Sequence, residues 1–399
     1  MRARKTARIA LVAVACSMSA IAAQSEGAGA ATPEGAPAAL QTLDQQAAQS
    51  ARQGLDWMAG LQKENGSWSN ENYPAMTALA LWAFTRSDHP DKAAVCAKAA
   101  TFITQFAQKD GGIYKPASGG RGSGGLSTYN TAICMIALHT YDHITYAPLI
   151  LKARKFMASC QLVGDSDDAG GFGYNQPPAK GAHDVLIKLM KRSRADLSNT
   201  GWAAQSMRVT QDLEDLRQGE APVDIDWKAS LAFVEKLQNQ DKDDVENYGS
   251  FGYEKSGERG GTHVSKKSGT VKLNGYGSMT YAGVESMIYA QVDRTDPRVR
   301  SALEWAALNW SVEENPGMGT KGLFYYFNIM SKALSLNGTD TLRTPKGEVI
   351  PWKKELIDKL IAVQQPDGSW INKNNQFWEG DAILVTAYAV LALEYANGQ

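Results

Sequence analysis

A chain of 399 residues with 41 Lys+Arg against 42 Asp+Glu has a formal charge of −1, which excludes a polycation built for nucleic acid or an anionic membrane surface. Its 43% hydrophobic and 9% aromatic content excludes an intrinsically disordered chain and fits one large closed architecture or roughly two to three domains. The 37 glycines are informative through where they fall.

Residues 1–23 read as an export signal. Arg2, Arg4, Lys5 and Arg8 precede an apolar run over 9–18, and Ala20-Ile21-Ala22-Ala23 supplies small residues before Gln24. A basic start, a short apolar stretch and an Ala-x-Ala site make a secretory signal peptide, and the run is too short for a spanning helix. Cys16 raises a lipoprotein alternative, but Ala13 stands where a lipobox prefers Leu. Residues 24–47, rich in Ala, Gly, Pro, Ser and Gln, are expected to be a disordered linker. The expected product is exported, periplasmic or extracellular, with no stable membrane span. Cys96, Cys134 and Cys160 lack metal-type spacing and fall in helix-like stretches, where a buried thiol is the ordinary reading. A disulfide among them is left open.

Residues 48–399 form the expected single domain, and they repeat. The first copy is an amphipathic run ending at Gln62, then Lys63-Glu64-Asn65-Gly66-Ser67-Trp68, then an apolar run over 76–84. The last is a run ending at Gln364-Gln365, then Pro366-Asp367-Gly368-Ser369-Trp370, then an apolar run over 383–395. Four weaker copies lie between, through Gly111-Gly112-Ile113-Tyr114, Gly170-Gly171-Phe172-Gly173-Tyr174, Gly249-Ser250-Phe251-Gly252-Tyr253 and residues 317–322. Anchors at 62, 108, 161, 238, 309 and 365 are spaced 46, 53, 77, 71 and 56 residues apart, a repeat architecture with loop insertions at one place in the unit. Gly lets the chain leave the first helix through a positive-φ turn. The aromatic packs over that helix end, and Gln can bond the exposed turn backbone. The second helices are apolar on nearly all sides, as inner helices should be. Six hairpins can then close into a ring, which needs no polar capping repeat.

Gln-x-x-Gly-Ser-Trp at 365–370, Gln-x-x-x-Gly-Ser-Trp at 62–68 and their relatives resemble the QW repeats of squalene/hopene cyclases, and are similar to those of protein prenyltransferase β-subunits. The resemblance runs over about residues 50–396. It implies an all-α (α/α)6 toroid with inner helices around a central cavity, and isomerase or transferase chemistry on an isoprenoid.

The family's chemistry was followed residue by residue. Its cyclases protonate substrate with Asp-x-Asp-Asp at an inner-helix start, where a carboxyl stays protonated in an apolar cavity. Asp165-Ser166-Asp167-Asp168 matches the string but sits in the turn after an outer helix, and reads as a solvated acidic loop. As a calcium loop it is poor, with Ala169 and Gln176 at ligand positions. The prenyltransferases hold zinc through Asp, Cys and His at inner-helix starts, and no such set is present. His139 and His143 have i, i+4 spacing but lack a third ligand and fall at a helix C-terminus, where the dipole favours His. No metal or cofactor is therefore expected.

The mouth of the ring carries the candidate site. Six inner-helix N-termini should point there and suit an anion. The long loop insertions also emerge there, and residues 179–194 and 254–272, with Arg259 and His263, are locally basic. Around the inner-helix starts stand Tyr73, Tyr129, Asn130, Asn199, Tyr281, Tyr325, Tyr326 and Trp378, expected to bind substrate. Asp196 and Asp381 are the carboxylates nearest those starts; each is either an N-cap or a buried acid with raised pKa. Aromatic faces would stabilise a developing carbocation. The expected partner is a small hydrophobic or anionic ligand; the oligomeric state is not legible. Three functions follow: a cyclase- or prenyltransferase-like enzyme acting on an isoprenoid, a carbohydrate-active enzyme such as a lyase of an acidic polysaccharide, or a non-catalytic binding scaffold.

Overall fold

A computed structural model describes residues 41–118, 124–176 and 195–398. The export signal and most of the expected linker lie outside them, but residues 41–47 do not belong to a linker. The first helix, α1 (Leu43–Gly60), begins five residues ahead of the expected boundary at 48. The cause is a capping box: Thr42 Oγ1 accepts from Gln45 N–H at 3.2 Å, and Gln45 Oε1 accepts from Thr42 N–H at 2.9 Å, so two N-terminal donors are satisfied reciprocally.

The chain then alternates outer and inner helices: α2 (Pro74–Arg86), α3 (Lys92–Thr104), α4 (127–141), α5 (143–160), α6 (Leu197–Val209), α7 (Trp227–Glu235), α8 (Gly277–Tyr289), α9 (Pro297–Leu308), α10 (Leu323–Asn337), α11 (Trp352–Val363) and α12 (Ala382–Ala396). Helices α4 and α5 follow each other without a loop. Their junction is Asp142, whose φ of −158° breaks the helix and whose Oδ1 accepts from Thr145 N–H at 3.1 Å, capping the next one. Two short hairpins interrupt the loops: β1 (Thr262–Val264) with β2 (Val271–Leu273), and β3 (Leu342–Arg343) with β4 (Val349–Ile350), both antiparallel.

The even-numbered helices form a closed ring. Each packs on the next in the order α2, α4, α6, α8, α10, α12, and α12 packs back on α2. The odd-numbered helices lie outside; α1 packs against both α11 and α12, which closes the outer layer across the chain ends. The fold is thus an all-α (α/α)6 toroid. Burial on all sides explains the composition of the inner helices: every residue from 383 to 396 of α12 is buried.

Three residue types recur in the repeats: a glutamine that bridges to the next unit, a turn glycine, and a threonine that ties the turn to its own inner helix. Gln62 Nε2 donates to Gly66 O in its own turn (3.1 Å) and to Val95 O of the next outer helix (3.0 Å). Gln161 makes the same bridge to Gly170 O and Asp226 O, and Gln238 to Gly249 O and Arg298 O. In the last repeat the bridge is Gln364, to Gly368 O and Ser50 O, so the expected anchor at 365 is displaced by one residue. Gln365 and Gln108 instead turn back on their own helix ends, at Val363 O and Phe106 O. The turn glycine is required by space as well as by φ. At Gly66 (φ +89°) a Cβ would lie 2.2 Å from Lys98 O, and at Gly170 (φ +90°) 2.0 Å from Ala229 O. The third residue type is a threonine on the inner helix. Thr77, Thr131, Thr200, Thr280 and Thr386 accept through Oγ1 the N–H of Trp68, Ile113, Phe172, Phe251 and Trp370. Each such bond is buried, so its loss would leave an amide unpaired. Helix α10 has no threonine, so the fifth repeat lacks this bond.

Candidate functional site

Residues from the N-terminal ends of all six inner helices line one cavity of about 400 Å³. The six therefore run parallel, with their starts at the mouth. Tyr73, Met76 and Leu79 come from the start of α2, Tyr129 and Asn130 from α4, Ser198 from α6, Tyr276, Ser278 and Met279 from α8, Tyr325 from α10, and Leu384 and Tyr388 from α12. Tyr174 and Tyr253 enter from the turns of the third and fourth repeats, and Phe377 and Trp378 close the rim. Among the described residues that line it, seven are tyrosines and none carries a formal charge.

The tyrosine hydroxyls meet other hydroxyls. Tyr174 and Tyr253 meet hydroxyl to hydroxyl at 2.7 Å, and Ser198 Oγ lies 3.0 Å from Tyr325 Oη. Burial raises the pKa of each of these tyrosines and of Tyr129 and Tyr388, and the nearby Asp196 charge adds to it for Tyr174 and Tyr253. They remain neutral donors and aromatic faces. At the rim, Phe377 (φ 57°) and Trp378 (φ 70°) are consecutive left-handed residues, an unusual strain for bulky side chains. They are 60% and 45% exposed, and Trp378 stands edge-on to Tyr73 at 4.8 Å. The segment is riveted by the buried Glu379, which accepts from Tyr325 N–H at 2.7 Å and Asn372 Nδ2 at 2.6 Å.

Of the residues expected to bind substrate, Tyr73, Tyr129, Asn130, Tyr325 and Trp378 line the cavity. The others stand elsewhere. Tyr281 and Tyr326 are buried in the wall between α8 and α10, rings 5.9 Å apart, and Tyr326 donates to Ser311 O. His263 lies on β1, with Nε2 2.7 Å from Asp244 Oδ2 and Nδ1 3.2 Å from Asn274 Oδ1, so it fastens a loop. Asn199 donates Nδ2 to both Asp196 oxygens at 2.9 Å. Asp196 itself is fully buried, is the N-cap of α6 and accepts from Asn199 N–H at 2.8 Å. Burial raises its pKa, with Arg259 at 3.4 Å opposing. Asp381 is the N-cap of α12, accepting from Ile383 and Leu384 N–H and from Ser69 Oγ. Neither aspartate lines the cavity; the capping role accounts for both.

The expectation of a mouth suited to an anion is corrected by what meets each inner helix. Asn130 Oδ1 accepts from Ala75 N–H of α2, Asn175 Oδ1 from Ser127 N–H of α4, and Asn315 Oδ1 from Ser278 N–H of α8. Asp196, Glu379 and Asp381 serve α6, α10 and α12. Each of the six N-termini therefore has at least one amide met by a side-chain oxygen, three of them by a carboxylate that offsets the helix dipole. The basic insertion at 179–194 lies outside the described residues. In the other, Lys266, Lys267 and Lys272 pair with Glu246, Asp243 and Asp241. Arg259 pairs with Glu254 as well as Asp196. The acidic run at 241–246 was the unread complement.

Of the inner helices, α6 is one that starts at a carboxylate. There α6 opens Asp196-Leu197-Ser198-Asn199, whose one carboxylate is the N-cap and whose Ser198 lines the cavity. His139 contacts Asp212 at 2.9 Å. Among the described residues no group of three His, Cys, Asp or Glu side chains could hold a metal ion. Cys96, Cys134 and Cys160 are buried free thiols. No described helix is long and apolar enough to cross a membrane.

No family model matches this chain, and no curated protein does. Among solved structures the fold is similar to the type II terpene cyclase MstE from Scytonema without ligand, at TM-score 0.51 and 12% identity over 90% of this chain and 99% of that one. A point variant of MstE in complex with its substrate geranylgeranyl dihydroxybenzoate matches at TM-score 0.51 and 14% identity, over 89% of this chain and 98% of that one. The GH76 α-mannanase BT2949 of Bacteroides thetaiotaomicron matches at TM-score 0.52 and 11% identity, over 88% and 96%. At such identities the likeness is one of fold, and function must be read from the site.

Proposed function

We propose that this protein is an exported toroid that binds an apolar ligand of isoprenoid size in the cavity at its mouth. The observation that supports the reading is the lining: seven tyrosines with Met76, Leu79, Met279 and Leu384, and among the described residues no charged side chain, around about 400 Å³. That volume lies within the roughly 300–1,000 Å³ of small-molecule sites, which are commonly apolar with a few placed polar groups. The neighbour MstE is solved with a geranylgeranyl-bearing substrate, which agrees with the ligand class.

The role is binding rather than acid-initiated cyclisation. Protonating an alkene needs a strong acid in contact with it. Among the described residues no carboxyl lines the cavity, and Asp196 is held by Asn199 and Arg259 behind the lining. The tyrosine faces would still favour a ligand with π-electrons or partial positive charge.

A thermal-shift series on the full chain tests the reading, with squalene and geranylgeraniol in detergent beside acidic oligosaccharides. A ligand at ~100 times its Kd should add about 2.7 kcal/mol of stability. A shift with the isoprenoids alone is expected. A shift with the oligosaccharides alone would contradict the reading and move the assignment to a glycan.

A further inference from the structure

The cavity has two unlike walls. In the ring order, α12 and α2 stand opposite α6 and α8. The first pair presents Met76, Leu79 and Leu384 together with Tyr73 and Tyr388. The second side is richer in hydroxyl-bearing residues, with Ser198, Ser278, Tyr174, Tyr253 and Tyr276 beside a single aliphatic side chain, Met279. A hydrocarbon gains by lying on the aliphatic side chains of the first wall, and the second can take a polar head, because the Tyr174–Tyr253 pair uses only one of its two hydroxyl protons between the oxygens. What kind of head is decided by charge. Behind Tyr253, Arg259 is shared between two carboxylates: its Nε donates to Glu254 Oε2 at 2.7 Å, and its Nη1 lies 3.4 Å from Asp196 Oδ2. Its guanidinium also covers the Tyr253 ring at 4.8 Å. With both carboxylates ionised this cluster is formally −1, and with Asp196 protonated it is neutral. In neither state does it offer a cation to a phosphate. The six helix N-termini are likewise already met by oxygen, three of them carboxylate oxygen.

We infer that the ligand is an uncharged lipid with a hydroxyl or carbonyl head, held by Tyr174, Tyr253 and Tyr276 with its chain along Met76, Leu79 and Leu384, and that phosphate-bearing prenyl chains are rejected. This rests on the reading of the cavity as a site for an isoprenoid-sized apolar ligand. The tyrosines are donors throughout the physiological range, since burial first and the Asp196 charge second hold Tyr174, Tyr253 and Tyr276 above their ordinary pKa. A diphosphate would have to shed its hydration against neutral hydroxyls backed by carboxylates, which is costly without a paired cation.

The test is a tryptophan-fluorescence titration of the full chain with geranylgeraniol, geranylgeranyl diphosphate, squalene and inorganic pyrophosphate in the same detergent. Geranylgeraniol should bind at least ~10-fold more tightly than its diphosphate, and pyrophosphate should not compete with either. Tyr253→Phe should weaken the alcohol by about 5-fold, the loss of one hydrogen bond, while leaving squalene within roughly 2-fold. The wild-type pair decides the charge question even if the variant folds poorly. Equal or tighter binding of the diphosphate would overturn the inference and leave the apolar-site reading standing. An unchanged alcohol affinity in a folded Tyr253→Phe would overturn the head's placement. Binding of none of the four would overturn the inference and the reading together.

Discussion

The two halves of the toroid's bore are built on opposite principles. At the N-terminal ends of the inner helices the bore is hollow, aromatic and uncharged. Toward their C-terminal ends it is filled and holds buried ions. Lys332 of α10 donates to Gln205 Oε1 of α6 at 2.8 Å, lies 3.4 Å from Glu285 of α8, and sits 4.4 Å from the Trp202 ring. Nearby, Arg86 of α2 and Glu394 of α12 pair at 3.3 Å, with Arg86 over the Tyr395 ring at 4.4 Å. Both pairs join different helices of the ring, so they act as a plug that fixes helix order. At the mouth the ties among the described residues are hydroxyl contacts at the wall, such as Ser198 of α6 to Tyr325 of α10 at 3.0 Å, not buried ion pairs. Stability and binding are thereby divided between two ends of the same helices.

The largest expected effect comes from breaking the plug. Lys332→Met would leave Glu285 buried without its cation, at a cost on the order of 3–5 kcal/mol. Urea unfolding measures it, and adding Glu285→Leu should recover much of the loss. Near-additive behaviour of the two changes would deny that they form a unit.

Glu285 is raised to about 7 and Glu394 to about 8, in both cases mainly by burial, against an ordinary 4.5. A carboxyl with a raised folded pKa keeps its proton longer in the folded chain. Its contribution is therefore fully present below about 4.5 and is lost as pH rises through 7 and 8. Melting curves across that window should fall less steeply in Glu394→Gln than in the parent. Parallel curves would show that Glu394 ionises normally.

Next come the repeat threonines. Thr200→Val removes the acceptor for Phe172 N–H and should cost roughly 1–3 kcal/mol, the penalty of a buried unpaired amide. Smaller still in stability are changes at the mouth. Tyr388→Phe should shift unfolding by under ~1 kcal/mol, since its hydroxyl faces a cavity rather than packed atoms. A cost at the mouth as large as that in the plug would erase the division between the two halves.

Much of this architecture was legible in the sequence because the repeat imposes it chemically. Gly66 and Gly368 are needed where a neighbouring carbonyl leaves no room for a Cβ, and Gln62 sits where it can reach two backbones. The threonines were not read, although they fall at one place in five inner helices, because a lone Thr in an apolar run looks like any N-terminal residue. The register slip from Gln365 to Gln364 came from two adjacent glutamines that only geometry separates. At the site, Tyr174 and Tyr253 were visible as the ends of two identical Phe-Gly-Tyr strings, yet they were absorbed into the repeat. Their hydroxyls do nothing for the repeat and meet each other across the cavity. Asp196 and Asp381 drew attention as rare carboxylates; capping, the plainer demand of a helix start, explains them. His263 and Arg259 were read as free cations because their carboxylate partners lie elsewhere in the sequence or were counted only as charge.

The central claim, that the uncharged half of the bore is where an isoprenoid-sized ligand sits, is tested most directly by photolabelling. A diazirine-bearing geranylgeraniol would be irradiated with the full chain and the labelled peptides identified. Label in the segments 73–79, 276–279 and 384–388, suppressed by excess squalene, is the predicted result. Label confined to the outer helices, or unaffected by squalene, would contradict it.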